Sequence, residues 1–348
     1  MARVRFLHAA DVHVALRERE YCLEVVDEVA EVAKDAGVDF VVVPGDLFDS
    51  FEDMAALWGE VWRRLCGVGV PVYYCVGNHE FLKKGAHEFS EFSTPEGLFW
   101  SFDGVGVWEG EGYEVVGVPY RREGYEGGGG LARKRGVRVV MAHGTVQDAF
   151  WFSSEEDPAI LDPVFLRDFE PDYVALGHIH RECEVRFGDV VFRYAGSARV
   201  WREGEEGPRR VLVVEAGEGG VRVESVALER AGRFRVTEVV FGVERVEEEE
   251  GFWDGVGPYD RVHVVLRGVV DGLDRVESWK RGLLERYGDR VRTITFEEEV
   301  AALRVLSSHR FVQMFLEEME RSRGGCEERV WRDALRLGLL RIREEIER

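Results

Sequence analysis

Three short apolar runs, residues 4–9, 40–43 and 70–76, alternate with stretches of helical period, and this alternation constrains the fold more than any other feature. Leu23, Val26, Ala30 and Ala33 recur three or four apart within residues 21–36, the spacing of one helix face, and a second helical stretch, residues 54–65, follows the second run. Strand, helix, strand in this order predicts βαβ units and an α/β sheet. Strand-like runs resume at residues 113–118, 137–142 and 173–176. From Cys183 the helical interludes disappear, and residues 183–187, 190–194, 211–215 and 221–228 read as an antiparallel meander with Gly-rich turns.

Metal-capable side chains interrupt this pattern at the strand ends. Asp11 and His13 follow the first run, Asp46 and Asp49 the second, and Asn78, His79 and Glu80 the third. His143 follows residues 137–142, and His178 and His180 follow residues 173–176. The carboxyl ends of strands in an open α/β sheet line the ligand crevice, so groups distant in sequence converge there. Oxygen and imidazole donors suit manganese, iron or zinc rather than a thiolate-preferring ion. Ten such side chains exceed the needs of one ion. Two divalent cations about 3.5–4 Å apart, bridged by one carboxylate, form the arrangement used for displacement at phosphorus.

Composition narrows the class. With 67 acidic against 46 basic side chains, a net charge of −21, the chain does not coat nucleic acid through charge alone. No segment reaches the roughly 18–20 uninterrupted apolar residues of a membrane span, so no membrane partner is expected. Cys22, Cys66, Cys75, Cys183 and Cys326 are an odd set without C-x-x-C spacing, which fits free thiols in a reducing compartment. Residues 1–10 reach Asp11 too soon for a signal peptide, and a cytoplasmic location is expected.

Glu247 to Glu250, followed by Gly251, Gly255 and Gly257, mark a boundary. Beyond it, a strand at 261–266, a helix at 275–286 and a strand at 291–296 form a unit too small for a large core. The tail from Ser307 is helical, with Trp331, Leu335, Leu339, Ile342 and Ile346 on one stripe that suits either a partner helix or intramolecular packing. The expected organisation is therefore 1–240, 241–300 and 301–348.

The series Asp11-x-His13, Gly45-Asp46-x-x-Asp49, Gly77-Asn78-His79-Glu80, His143-Gly144 and Gly177-His178-x-His180 resembles, in order, the calcineurin-like metallophosphoesterase superfamily. The flanking residues, Phe6-Leu7-His8-Ala9-Ala10 before Asp11, Ala175-Leu176 before Gly177 and Tyr194-Ala195-Gly196-Ser197 beyond, resemble its SbcD branch, the nuclease subunit of the double-strand-break repair complex. The first motif departs from the usual pattern in running on as Val14-Ala15-Leu16, and Glu80 stands where aspartate is commoner; neither change removes a ligand.

The resemblance implies an α/β fold: a metallophosphoesterase β-sandwich flanked by helices in α-β-β-α layers, a small α/β capping domain and a C-terminal helical tail. It implies a DNA nuclease with two divalent metal ions, manganese first and iron, zinc or magnesium as alternatives. The expected partners are DNA and an SbcC-type coiled-coil ATPase gripped by the tail, with a homodimer as a further source of grip. Asp11, His13 and His180 would hold one metal and Asn78, His143 and His178 the other, with Asp46 bridging. His79 would sit over the scissile phosphate, stabilising the pentacoordinate state or protonating the leaving oxygen. Asp49 and Glu80 would orient the histidines and asparagine.

Residues 121–138 are locally basic, and Arg133, Lys134, Arg135 and Arg138 form either a phosphate-gripping loop or a solvated one. The aromatic stretch 89–102 suits core packing or base stacking. His8, His87, His263 and His309 read as structural. Besides a DNA phosphodiesterase of end processing, two alternatives stand: a small-nucleotide or pyrophosphate phosphodiesterase, and a catalytically weak DNA-end-binding scaffold for an ATPase.

Overall fold

The computed structural model describes residues 3–81, 86–125, 130–131, 136–146, 160–188, 190–242, 246–307, 309–325 and 327–347. The chain divides into two compact units, Met1–Arg233 and Phe234–Arg348.

The first unit opens with β1 (Val4–His8), α1 (Arg19–Ala36), β2 (Phe40–Pro44), α2 (Phe51–Leu65), β3 (Val72–Cys75) and β4 (Leu98–Ser101). It continues with β5 (Gly106–Gly110), β6 (Tyr113–Val118), β7 (Val137–His143), β8 (Thr145–Val146), β9 (Ile160–Leu161) and α3 (Pro163–Arg167). It closes with β10 (Tyr173–Gly177), β11 (Cys183–Phe187), β12 (Val190–Tyr194), β13 (Arg210–Gly217) and β14 (Gly220–Ala227). Two six-stranded sheets result, in the orders β14-β13-β1-β2-β3-β4 and β11-β12-β10-β7-β6-β5.

Side-chain alternation along the strands sorts the apolar residues into layers. Phe6, Phe40, Val42, Tyr73 and Cys75 of the first sheet share one core with Tyr113, Val115, Val139, Met141, Tyr173 and Ala175 of the second. The opposite faces hold the helices: Leu7, Val41, Val43 and Tyr74 pack against α1 and α2, and Val140, Ala142, Val174 and Leu176 against α3. The order helix, sheet, sheet, helix is the expected one. Ser50 starts α2 by accepting the Asp53 N–H at 3.1 Å, which sets the helix directly behind Asp49. The aromatic stretch also belongs to this core, since Phe89 packs on Phe51 and Phe92 and Trp100 pack on Trp58.

The meander is corrected. β11 and β12 form an antiparallel hairpin in the second sheet, β13 and β14 one in the first, and residues 195–209 cross between them. Alternation reveals a strand but not its neighbour.

The second unit holds β15 (Phe234–Phe241), β16 (Val246–Glu248), β17 (Arg261–Val270), α4 (Asp274–Tyr287), β18 (Thr293–Ala302), α5 (Leu303–Leu306), α6 (Arg310–Ser322) and α7 (Glu328–Glu347). The division falls after Arg233 rather than after residue 240, because β15 runs parallel to β17 from Phe234 opposite Arg261 to Phe241 opposite Gly268. Residues 301–348 lie in the same unit. Leu335, Leu339 and Ile342 of the tail stripe pack with Val312 and Phe315 of α6 and Val269 of β17, so these residues serve intramolecular packing. The Ile346 side chain lies outside what is described. No helix among the described residues is long and apolar enough to cross a membrane.

Candidate metal centre

The loops after β1, β2, β3, β7 and β10 meet at one edge of the two sheets. Asp11, His13, Asp46 and His178 have positive φ angles of 52°, 48°, 47° and 97°, conformations that L-residues rarely adopt. They turn sharply out of the strands and bring their side chains back over the strand ends. Glycine makes room for this: a Cβ on Gly77 would lie 2.1 Å from Asp46 Oδ1, and one on Gly45 would lie 2.2 Å from His143 Nδ1.

Asp11, His13 and His180 bring one donor atom each within 4.8 Å of one another, and so do Asp46, His143 and His178. Asp46 also groups with His13 and His79, so its carboxylate reaches both clusters. Asn78 joins the second cluster, with Oδ1 2.8 Å from His143 Nε2 and 3.0 Å from His178 Nδ1. His143 Nε2 is 3.1 Å from Asp46 Oδ2, and His13 Nε2 is 3.0 Å from His180 Nε2. A cation with ligands at about 2.1 Å and right angles has donor–donor edges of about 3.0 Å, so the spacing fits a six-coordinate divalent ion.

The hydrogen bonds favour the same reading. His143 Nδ1–H donates to Pro44 O at 3.0 Å and His180 Nδ1–H to Glu205 Oε1 at 2.5 Å, which directs each Nε2 into the site. His13 Nδ1 lies 3.5 Å from Asp49 Oδ1. The Nε2 atoms of His13 and His180 therefore face each other, an arrangement that a cation between them would stabilise.

Residues 4–182 match the family model of the calcineurin-like phosphoesterases. The chain belongs to this family. The phosphoesterase is similar to the DNA double-strand break repair protein Mre11 of Methanosarcina acetivorans, at 26% identity over 71% of this chain and 42% of that protein. The corresponding figures for Mre11 of Thermoplasma acidophilum are 24%, 64% and 65%. For the uncharacterized metallophosphoesterase YhaO of Bacillus subtilis they are 25%, 63% and 59%. The matches thus span less than two thirds of each of these relatives.

The phosphoesterase site extends past the matched residues, into the crossing segment 195–209. Glu205 is buried and holds His180, Trp201 stacks on the His13 ring with centroids 4.3 Å apart, and Arg199 donates from Nη2 to His13 O at 2.6 Å. Sequence reasoning missed all three. The one available signal was an arginine, a tryptophan and a glutamate directly after the Tyr194-Ala195-Gly196-Ser197 motif.

Asp49 and Glu80 occupy supporting positions of different kinds. The Asp49 carboxylate meets His13, Arg17 at 2.8 Å and Trp201 Nε1 at 2.5 Å, while its backbone oxygen accepts from His79 Nδ1 at 3.1 Å. Glu80 touches none of the candidate histidine ligands in the described contacts; it accepts the N–H groups of Phe48 at 2.7 Å and Gly77 at 2.8 Å and so ties together the loops after β2 and β3. Burial and the nearby Asp46 charge push the Glu80 carboxyl up to about 7.

Burial is the leading influence on the remaining titratable groups. Burial pushes His13 down to about 3 and Asp11 up to about 6. Burial also opposes the charged form of His143, but the Asp46 carboxylate outweighs it and raises the imidazole to about 9. A dication held by Asp46 and His143 would supply the charge that His143 otherwise takes up as a proton.

Arg138 is corrected as a DNA contact. It lies in β7 at 1% exposure, with Nε 2.5 Å from Glu114 Oε2 and Nη1 donating to Phe169 O. Arg133, Lys134 and Arg135 lie outside the described residues.

Proposed function

We propose that this phosphoesterase is a two-metal DNA phosphodiesterase of end processing. The observation that carries the reading is the Asp46 carboxylate, which reaches both donor clusters as a bridging ligand would. In this reading Asp11, His13 and His180 hold one ion, and Asn78, His143 and His178 hold the other. Two bound dications would supply Lewis acidity for displacement at phosphorus and neutralise charge building on the phosphoryl oxygens.

The chain's own residues do the rest. Pro44 O and Glu205 fix the tautomers of His143 and His180, so their donor atoms face inward without rearrangement. Asp49 O accepts the Nδ1–H of His79 and leaves Nε2 for proton transfer: His79, partly exposed and packed against the His13 ring, would as an imidazolium give its Nε2 proton to the leaving oxygen and return to the neutral Nδ1–H form.

DNA is favoured over a small phosphodiester by the similarity to two proteins named for double-strand break repair and by the second unit, Phe234–Arg348, for which a small-molecule hydrolase has little need. The net charge of −21 limits the affinity of this chain alone, so an SbcC-type ATPase or a second copy would add grip. Manganese is the first choice of ion.

The 348-residue chain with manganese is expected to degrade linear duplex DNA. His79→Ala should cut the rate by about 100-fold or more while both ions still bind. Cleavage of small phosphodiesters only, even with the ATPase supplied, would favour the small-nucleotide reading. Metal-dependent binding of DNA ends without turnover would favour the scaffold.

A further inference from the structure

Glu205 has the geometry of a residue built to act on one ligand. Oε1 receives His180 Nδ1–H at 2.5 Å, and Oε2 receives two backbone N–H groups, from Trp201 at 2.7 Å and Arg202 at 3.2 Å. The side chain is 7% exposed. Both oxygens are therefore engaged, one by the chain turn that holds the carboxylate and one by the imidazole that it aims.

The supports of the two clusters differ in kind. His143 in the second cluster donates to a neutral carbonyl, Pro44 O. His180 in the first donates to a buried carboxylate. A carboxylate behind an imidazole locks its orientation and tautomer and raises its basicity more than a carbonyl does.

We infer that Glu205 is a positioning residue for His180 and through it sets the affinity of the Asp11–His13–His180 ion site independently of the other site. The inference rests on the two-metal reading above. It assigns to the crossing segment, beyond the matched residues 4–182, a selective control over one of the two ions.

Glu205→Gln is the informative variant. An amide has one acceptor oxygen where the carboxylate has two. If that oxygen serves Trp201 and Arg202, the amide NH2 faces His180 Nδ1 and drives the proton to Nε2, the donor atom. If it serves His180, the turn loses its acceptor. Either way the first site weakens.

The test titrates manganese into the metal-free 348-residue chain, with the free ion read by electron paramagnetic resonance. The unmodified chain is expected to bind two equivalents. In Glu205→Gln one equivalent should weaken by about 10–100-fold and the other stay unchanged. The nitrogen-15 shift of His180 in the metal-free protein should report Nδ1–H in the parent and, where the amide NH2 faces the ring, Nε2–H in the variant, while the far-ultraviolet melting curve stays the same. Two unchanged equivalents, both weakened together, or a collapsed melting curve would each overturn the inference. Failure of the unmodified chain to bind two ions would instead overturn the two-metal reading.

Discussion

Replacing Arg138 separates a structural role from a surface one. Glu114 and Arg138 stand opposite each other in the parallel register of β6 and β7, both buried, with the guanidinium also donating to Phe169 O behind the sheet. Arg138→Met removes the cation and leaves Glu114 as a buried, unpaired carboxylate. Breaking one side of such a pair costs about 3–5 kcal/mol, a large share of the roughly 5–15 kcal/mol that holds a domain folded. At about 2–4 °C per kcal/mol for a unit of this size, the melting temperature should fall by about 6–20 °C. Adding Glu114→Leu removes the stranded charge and should restore most of that loss, because replacing both partners of a buried pair is often neutral. Thermal denaturation of the four members of this cycle, followed by circular dichroism, gives the coupling directly. A single variant that melts within about 2 °C of the parent yet binds oligonucleotides more weakly would refute the buried-pair argument and return Arg138 to the surface.

Two further outcomes follow from the site and the core. Gly77→Ala places a methyl group where Asp46 Oδ1 now lies, so it should abolish binding of both manganese equivalents while leaving the far-ultraviolet spectrum intact; metal titration decides this. His8 is buried between Tyr173 Oη at 3.1 Å and Leu176 O at 3.2 Å, and burial pushes its imidazole down to about 3. The unfolded chain takes a proton there near pH 6.5 and the native one does not, so the His8 contribution is complete above pH 6.5 and is lost as the pH falls toward 3. In chelator-treated protein, His8→Gln should flatten the acid limb of the melting profile across that window; an unchanged limb would contradict the assignment.

The candidate ligands were legible because each follows an apolar run directly. A parallel sheet delivers strand ends to one edge whatever the loops do, so Asp11, Asp46, Asn78, His143 and His178 need no long-range information beyond strand direction. Glu205, Trp201 and Arg199 differ. Their contacts depend on the crossing from β12 in one sheet to β13 in the other, and the same alternating pattern is compatible with an uninterrupted meander. The Arg138 error has a related cause. A local count of basic residues registers charge but not the neighbour in register, and here that neighbour, Glu114, is 24 residues away. Residues 234–241 likewise show a strand whose partner, β17, lies beyond the glutamate run that was read as a boundary.

The backbone of the centre explains why so much structure stands behind so few ligands. Among the described non-glycine residues five have positive φ, and all but Glu170 belong to the site. A left-handed conformation costs an L-residue about 1–2 kcal/mol, so the four site residues together cost on the order of 4–8 kcal/mol, comparable with the stability of a whole domain. Specific bonds offset this strain. The N–H of His178 donates to both Asp11 oxygens at 2.9 and 3.1 Å, the N–H of His79 to Asp46 Oδ1 at 3.0 Å, and the N–H of His13 to Asp46 O at 3.0 Å. Arg199 adds Nε to Val12 O at 2.7 Å and Nη2 to His13 O. Each bond ties one ligand loop to another or to the crossing segment, so no single loop can relax to a right-handed conformation without breaking a contact made by its neighbour. The strained backbone thereby holds the donors at their spacing before any ion arrives, and the reorganisation that binding would otherwise require has already been met during folding.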